Sequence, residues 1–360
     1  MFRAVPRASG YFRTDYAQDL ALVQTRLERV ALAGFAIALA AFPFLANAFY
    51  LDLACQIFLA AVGALSLMLL TGYAGQISLG HAGLIAAGAF TVGILFREFA
   101  APFWLTLPTA AVVGAILGVI FGLPSLRLRG LYLVISTLAL YFVVAYLGGE
   151  YETRRGFSTG IMVDPPRIGA VALTDPRAWY FVLLAAAAAT LFFCANLLRS
   201  RTGRAWRAVR AHETVAAALG IGVARSKLLA FVISSAMASV AGALFAYYRG
   251  FVSVEAFSLF LSIQYVAMII IGGMGSLLGA LLGAAFVTLF PYLIETLLMR
   301  LPHAESYAGM LFAVNYAAFG LVMILFLVFE PLGLVGIWRR LQNYFLLWPF
   351  RYRPVGGTRK

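Results

Sequence analysis

The chain has 360 residues, 63% of them apolar and 11% charged, and a formal net charge of +13. A soluble domain carries about a quarter charged residues, so this one could not solvate its surface in water, and it has apolar length for many spans of about 20 residues. The basic excess calls for no nucleic acid, because the arginines sit between apolar runs rather than on one patch, and the two cysteines, Cys55 and Cys194, lie inside apolar runs with no metal or disulfide spacing.

Residues 1–29 are polar, and the first apolar run then continues for a full span, which predicts an uncleaved insertion signal. Apolar runs follow over 30–51, 53–71, 76–96, 103–122, 130–148, 178–198, 228–248, 262–275, 277–299 and 311–329. They predict an all-α integral membrane protein, a polytopic transmembrane helix bundle of about ten spans, with the membrane domain over 30–329 and a tail over 330–360. Segment 76–96 opens with polar and glycine residues, and 262–275 is short and ends in Gly272-Gly273. Either one reads as broken or re-entrant, which a bilayer tolerates only beside protein or a water-filled cavity; if both fail to cross, eight spans remain. In these runs Glu295 is the one carboxylate, near an end.

Ten crossings put both termini on one side. That side then carries 20 of the 27 basic residues, in 1–29, at Arg127 and Arg129, in 199–227 and in 330–360. The opposite side carries Arg97, Arg154, Arg155, Arg167, Arg177, Arg249 and Arg300, with nine of the 14 acids. Positive charge stays in the cytoplasm, so the termini and 199–227 are expected there, and 149–177 is expected to be an irregular outer loop.

Three glycine patterns interrupt or smooth the spans. Gly114, Gly118 and Gly122 repeat every fourth residue, as do Gly275, Gly279 and Gly283. Each row makes a smooth helix face, for packing inside the bundle or against a second membrane subunit. Four glycines between Gly72 and Gly83 weaken a helix by about 1 kcal/mol each relative to alanine. Gln76, Ser78 and His81 bring polar groups into the same stretch, which an unwound segment beside a water-filled path would satisfy. These three are candidates for a pathway wall, with hydrogen-bonded packing as the alternative for His81. Residues 272–283 resemble this stretch loosely, a weak hint of an internal repeat.

The energy source is absent from the chain's own motifs. Proton or sodium coupling needs ionisable groups near the midplane, and ATP binding needs a glycine loop ending in Gly-Lys-Ser/Thr. Lys227 and Lys360 are the only lysines, and neither stands in such a loop. The spans are therefore passive or driven by another subunit. Residues 203–219 lack proline and are rich in alanine, which predicts one amphipathic helix stopping at Gly220. Arg201, Arg204, Arg207 and Arg210 fall on one side; Ala205, Trp206, Val209 and Ala216 fall mostly on the other. Such a helix suits a cytoplasmic partner or anionic lipid.

Four stretches resemble the permease subunits of branched-chain amino-acid ABC importers, specifically the longer, LivM-type member: Gly72 to Ala82, Arg127 to Leu133, Ser200 to Leu244, and Gly272 to Leu277. The likeness extends over roughly 50–335. It implies a bacterial inner-membrane importer in which a sister permease, two ATP-binding cassette subunits and a periplasmic substrate-binding protein are partners. The chain itself then needs no cofactor, ATP being bound by the partners, and is a transport subunit rather than an enzyme. The resemblance also implies that 199–227 meets the ATPase. Arg204 and Trp206 lie in that segment, and Glu213, Ala217, Ala218 and Gly220 match the importer permeases' Glu-Ala-Ala…Gly signature. One departure is the string Phe157-Ser158-Thr159-Gly160-Ile161, where many relatives have a second glycine. The rival readings are an ATP-independent channel, a lipid-bound scaffold, and a membrane-embedded hydrolase using Ser78 and His81, whose spacing of three would share a helix face.

Overall fold

In lipid a backbone can leave its helix only where other groups take over its hydrogen bonds, and a few such points shape the bundle. The computed structural model describes residues 26–128, 130–157, 160–168, 171–298 and 311–347. Residues 1–25 of the expected polar N-terminal segment, Arg129, Ser158 and Thr159 of the departing string, Arg300 and the end of the tail lie outside the described residues.

Helix α1 (Arg26–Leu45) stops at Ala46-Asn47, and α2 (Ala48–Leu67) follows, ending in one wider π turn, Met68–Tyr73. The first two apolar runs thus divide at Asn47, not at Asp52. Asp52 sits inside α2 because its carboxylate is satisfied there. Gln56 Nε2, one turn on, donates to Oδ2 at 2.6 Å, and the Tyr248 hydroxyl donates to Oδ1. A carboxylate other than Glu295 therefore lies within a span.

Next come α3 (His81–Phe99), α4 (Phe103–Ser125) and α5 (Leu131–Arg155). The predicted span 76–96 is a helix only from His81; the residues before it are not helical. The predicted loop 149–177 is shorter than expected, because α5 continues to Arg155, with its last turn held by Arg154–Glu150 at 2.6 Å and Arg155–Glu98 at 2.9 Å. Among the described residues there are four two-residue strands: β1 (Ile161–Met162), β2 (Arg167–Ile168), β3 (Val171–Ala172) and, much later in the chain, β4 (Phe251–Val252). Ile161 pairs with Val252 and Met162 with Phe251; β2 pairs with β3; both pairs are antiparallel.

Helix α6 (Pro176–Arg199) starts where Asp175 accepts the Arg177 amide and proline occupies the first helical position. The short helices α7 (Arg201–Ala211) and α8 (Glu213–Ala218) lead to α9 (Val223–Arg249). A 3-10 turn, Val254–Phe257, precedes α10 (Leu259–Gly272), and α11 (Leu277–Leu298), α12 (Leu311–Phe329) and α13 (Gly333–Leu347) are the remaining helices among the described residues. The tail expected from 330 is thus helical as far as Leu347, with Val335 buried.

Among the described residues, eight helices are long and apolar enough to cross a membrane: α2, α3, α4, α5, α6, α9, α10 with its 3-10 turn, and α11. The bent pair α12 and α13, at 54°, makes a ninth if counted as one span, and Val30–Leu45 of α1 is a shorter apolar helix. This is an all-α polytopic membrane fold. Asp52 meets Tyr248 at one end of α2, and Gly72 at its other end meets Arg210 of α7. Helices α2 and α9 therefore run antiparallel, with the strands at one end of the bundle and α7–α8 at the other.

Helix α9 is the hub, and small residues let its neighbours come close. A Cβ at Gly88 of α3 would overlap the Ser239 carbonyl, and one at Gly242 of α9 would overlap that of Ile85. Apolar lipid gives helices no hydrophobic reason to associate, so such backbone contact and polar bonds hold them together. Ser239 Oγ donates to Leu84 O at 2.9 Å, and Ser234 Oγ to Ser66 O at 2.8 Å. The row Gly114, Gly118 and Gly122 serves the same end: a Cβ at Gly118 would lie 2.9 Å from Val232 Cα, and one at Gly122 2.9 Å from Leu228 Cδ1. That face is occupied by α9 of the same chain. In the second row, Gly279 and Gly283 pack α11 on the backbone of α10. Gly275 does not belong to that face, since α11 starts only at Leu277 and Gly275 is a turn residue at φ +85°.

Candidate functional site

The unusual chemistry gathers where the chain between α2 and α3 turns back into the bundle. After the π turn, residues 74–80 are not helical, and Gly75 has φ +74°. Three side chains and one backbone carbonyl from other helices satisfy this stretch and the start of α3. Gln76 Nε2 donates to Lys227 O of α9 at 3.0 Å, and Thr71 Oγ1 donates to Gln76 O at 2.9 Å. The Leu79 amide donates to Thr137 Oγ1 of α5 at 3.1 Å, and the Ala82 amide to Ser262 Oγ of α10 at 2.9 Å. Helix α3 therefore begins inside the protein, capped by hydroxyls from its neighbours instead of by its own sequence.

His81 opens α3 and is fully buried. Its Nε2 stands 3.0 Å from both Gly63 O and Ser66 Oγ, so it carries the hydrogen and donates to the carbonyl. Its ring meets that of Tyr265 edge-on at 5.2 Å. Ser78 is also buried, but its Oγ accepts the Gly80 amide at 3.3 Å. Ser78 precedes the helix, so the expected shared face does not exist, and the serine bonded to His81 is Ser66. A hydrolytic pair of Ser78 and His81 is therefore not assembled. In this conformation Gln76, Ser78 and His81 are hydrogen-bonded packing residues, and they line neither of the two cavities described below.

The second part of the site is the α7–α8 pair. The single helix expected over 203–219 is broken at His212, which is extended at φ −155° and ψ 111°. Gly203, Trp206 and Val209 form the buried face of α7; Arg201, Arg204, Arg207 and Arg210 are exposed residues on the other. The Trp206 indole Nε1 donates to Ser226 O at 2.9 Å, which seats α7 on the start of α9. Gly220 ends the segment at φ +81°, as its position suggested. Helix α8 turns Val215, Ala217, Ala218 and Leu219 outward, an apolar knob whose Leu219 is 75% exposed.

These two parts are joined. The Arg210 guanidinium donates to Gly72 O, at the mouth of the unwound stretch. A Cβ at Gly75 would lie 3.1 Å from Arg210 Cγ, and one at Gly275 3.0 Å from its Nη1. One arginine of α7 thus touches both glycine turns, the one between α2 and α3 and the one between α10 and α11. A second link runs through α8: Lys227 Nζ pairs with Glu213 Oε1 at 2.5 Å, and the Lys227 carbonyl holds Gln76. Sequence reasoning missed Arg210, Lys227, Ser66, Thr137 and Ser262. Arg210 shares its spacing with arginines that have no such contact, and only the meeting of two distant glycine turns singles it out.

Two cavities lie nearer the strand end. One, of about 410 Å³, is lined by Asp52, Cys55, Trp179, Tyr248 and Arg249 among others. The other, of about 270 Å³, lies among α2, α9, α10 and α11 and shares Arg249. Among the described residues no group of three or more His, Cys, Asp or Glu could hold a metal ion.

Residues 49–328 match the family model described as branched-chain amino acid transport system / permease component. The chain is 32% identical to the high-affinity branched-chain amino acid transport system permease protein LivM of Salmonella typhimurium, over 94% of this chain and 81% of that protein. It is 32% identical to the protein of the same description from Escherichia coli K12, over 90% and 78%. It is also 32% identical to the autoinducer 2 import system permease protein LsrC of Klebsiella pneumoniae, over 53% and 55%. No solved structure matches.

Proposed function

This chain belongs to the branched-chain amino acid transport permease family and is the membrane permease subunit of an ABC importer; from that premise we propose how it works and what it carries. The solute is a branched-chain or related amino acid. The chain crosses the bacterial inner membrane ten times, α1 and α12 included, with its termini and α7–α8 in the cytoplasm and the strands outside. The sorting of 20 of 27 basic residues supports that orientation. A sister permease pairs with it in the membrane, two ATP-binding cassette subunits dock below, and a periplasmic binding protein delivers solute to the strand end. ATP is bound by those partners, and this chain needs no cofactor of its own.

The observation that carries the mechanism is the seating of α7 on the unwound stretch through Arg210. When the partner ATPases close, they push the knob of α8 and the exposed side of α7, with Arg204, Glu213, Ala217, Ala218 and Gly220 in the contact and Trp206 as the root. The push passes through Arg210 to both glycine turns and through Glu213 and Lys227 to Gln76. An unwound stretch held by side-chain bonds from several helices can shift without breaking a helix, so it is the element with two positions. Gln76, Ser78 and His81, closed off here, become pathway wall when it opens.

Purification of the chain from its host, followed by mass spectrometry, should recover two ATPases and a sister permease, and the reconstituted complex should import L-leucine only with ATP. Solute flux through the chain alone, without ATPases, would make it a channel. Labelling of a cysteine placed at position 206 or 213 from outside intact cells would reverse the orientation and overturn the mechanism.

A further inference from the structure

The larger cavity carries two opposite charges that do not pair with each other. Its volume of about 410 Å³ falls in the range of roughly 300–1,000 Å³ typical of small-molecule sites. Asp52 stands on one wall, its carboxylate fixed by Gln56 and Tyr248, each oxygen keeping a lone pair free. Arg249 stands on another wall, its guanidinium 5.8 Å from the centroid of the Tyr248 ring. The Tyr248 phenol thus spaces the two charges, and Arg249 has no ion-pair partner among the described residues. The rest of the lining is mixed, with Val163, Leu173 and Trp179 as its large apolar side chains beside Thr174 and Tyr247. Gln56, which orients Asp52, also lines the smaller cavity, and Arg249 lines both, so the two cavities share a wall at this point.

An anion and a cation that do not pair with each other, on one chamber that also offers apolar side chains, are complementary to a solute that carries both signs and brings its own partners for them. We infer that this cavity is the receiving site of the permease for a zwitterionic α-amino acid with an apolar side chain, Asp52 binding its ammonium group and Arg249 its carboxylate. This rests on the importer reading above, since the strand end must face the side from which solute arrives. Neutral amides lack both charges and are poor ligands here. The smaller cavity, deeper among α2, α10 and α11, is the next station.

The test is equilibrium binding of L-leucine, leucinol and 4-methylpentanoate to the purified permease–ATPase complex without the binding protein. Leucine should bind the wild type, and Asp52→Asn and Arg249→Gln should each weaken it about ten- to hundredfold, the value of one charge-assisted hydrogen bond. Arg249→Lys should keep most of the affinity. Leucinol lacks the carboxylate, so its disadvantage should vanish in Arg249→Gln; 4-methylpentanoate lacks the ammonium, so its disadvantage should vanish in Asp52→Asn. A merely structural role would not produce that crossed pattern. Arg249 is exposed, so its variant stays informative even if Asp52→Asn fails to fold. Absence of leucine binding, or unchanged affinity in Arg249→Gln, overturns the site. ATP-driven leucine uptake by the wild type with its binding protein is measured alongside: uptake with no effect of the variants sinks this site alone, and no uptake of any amino acid sinks the importer reading beneath it.

Discussion

Cutting back the Trp206 indole should loosen α7 from the bundle while the spans stay folded. Trp206 is 1% exposed and leads the fully buried side chains in size, and its Nε1 donates to Ser226 O at 2.9 Å. Trp206→Ala forfeits packing worth about 3–5 kcal/mol, and the lost hydrogen bond adds about 1 kcal/mol. Trp206→Phe keeps most of the ring and loses about 1–2 kcal/mol. At 1.4 kcal/mol per factor of ten, opening of α7 rises about a thousandfold or more for alanine and about tenfold for phenylalanine. Trypsin cleavage after Arg207 and Arg210 in the purified complex reads that opening, since slow cleavage follows the population of the open form. Solute moved per ATP hydrolysed should fall in the same order. Equal protease resistance in Trp206→Ala and wild type, or intact coupling in Trp206→Ala, would refute the seating argument.

Arg210→Ala removes the bridge from α7 to Gly72, a bond to a charged group worth about 1.5–3 kcal/mol, so transport per ATP should drop about tenfold or more while ATP hydrolysis continues; Arg210→Lys should recover only part of it. Glu213→Lys sets two like charges at the pair with Lys227 and should uncouple uptake without lowering the amount of protein in the membrane; adding Lys227→Glu should restore part of the uptake, as a radiolabelled-leucine assay would show. Thr137→Val and Ser262→Ala each remove a hydroxyl that caps the start of α3, and thermal unfolding in detergent should reveal a loss of about 0.5–2 kcal/mol apiece. Additivity in the double variant would show that the two caps act independently.

Much of the bundle is written in local sequence. Long apolar runs specify helices, because a backbone in lipid has few other ways to satisfy itself, and so the cores of α2 to α6 and α9 to α11 lie where hydropathy places them. Asp175 with Pro176, and Gly220, mark a helix start and a stop through rules that act over a few residues. Residues 74–80 were readable as a break for the same reason: glycines and polar groups weaken a helix wherever they stand.

What a break is for depends on what surrounds it, and that is a matter of distant contacts. Asp52 falls between two apolar runs of the sequence, and a lone carboxylate is costly in lipid, yet Tyr248, nearly 200 residues on, lets it sit within α2. Gly114, Gly118 and Gly122 offered a smooth face, but only the position of α9 decided that the chain fills that face itself. His81 was paired in sequence with Ser78 and in space with Ser66, and Arg210 became distinct from its neighbours only when two remote turns met beside it. Local propensity sets where helices can form, whereas hydrogen bonds and close contacts between remote residues form only once the bundle closes, and these decide which polar groups are held, which are joined, and which are left facing a cavity.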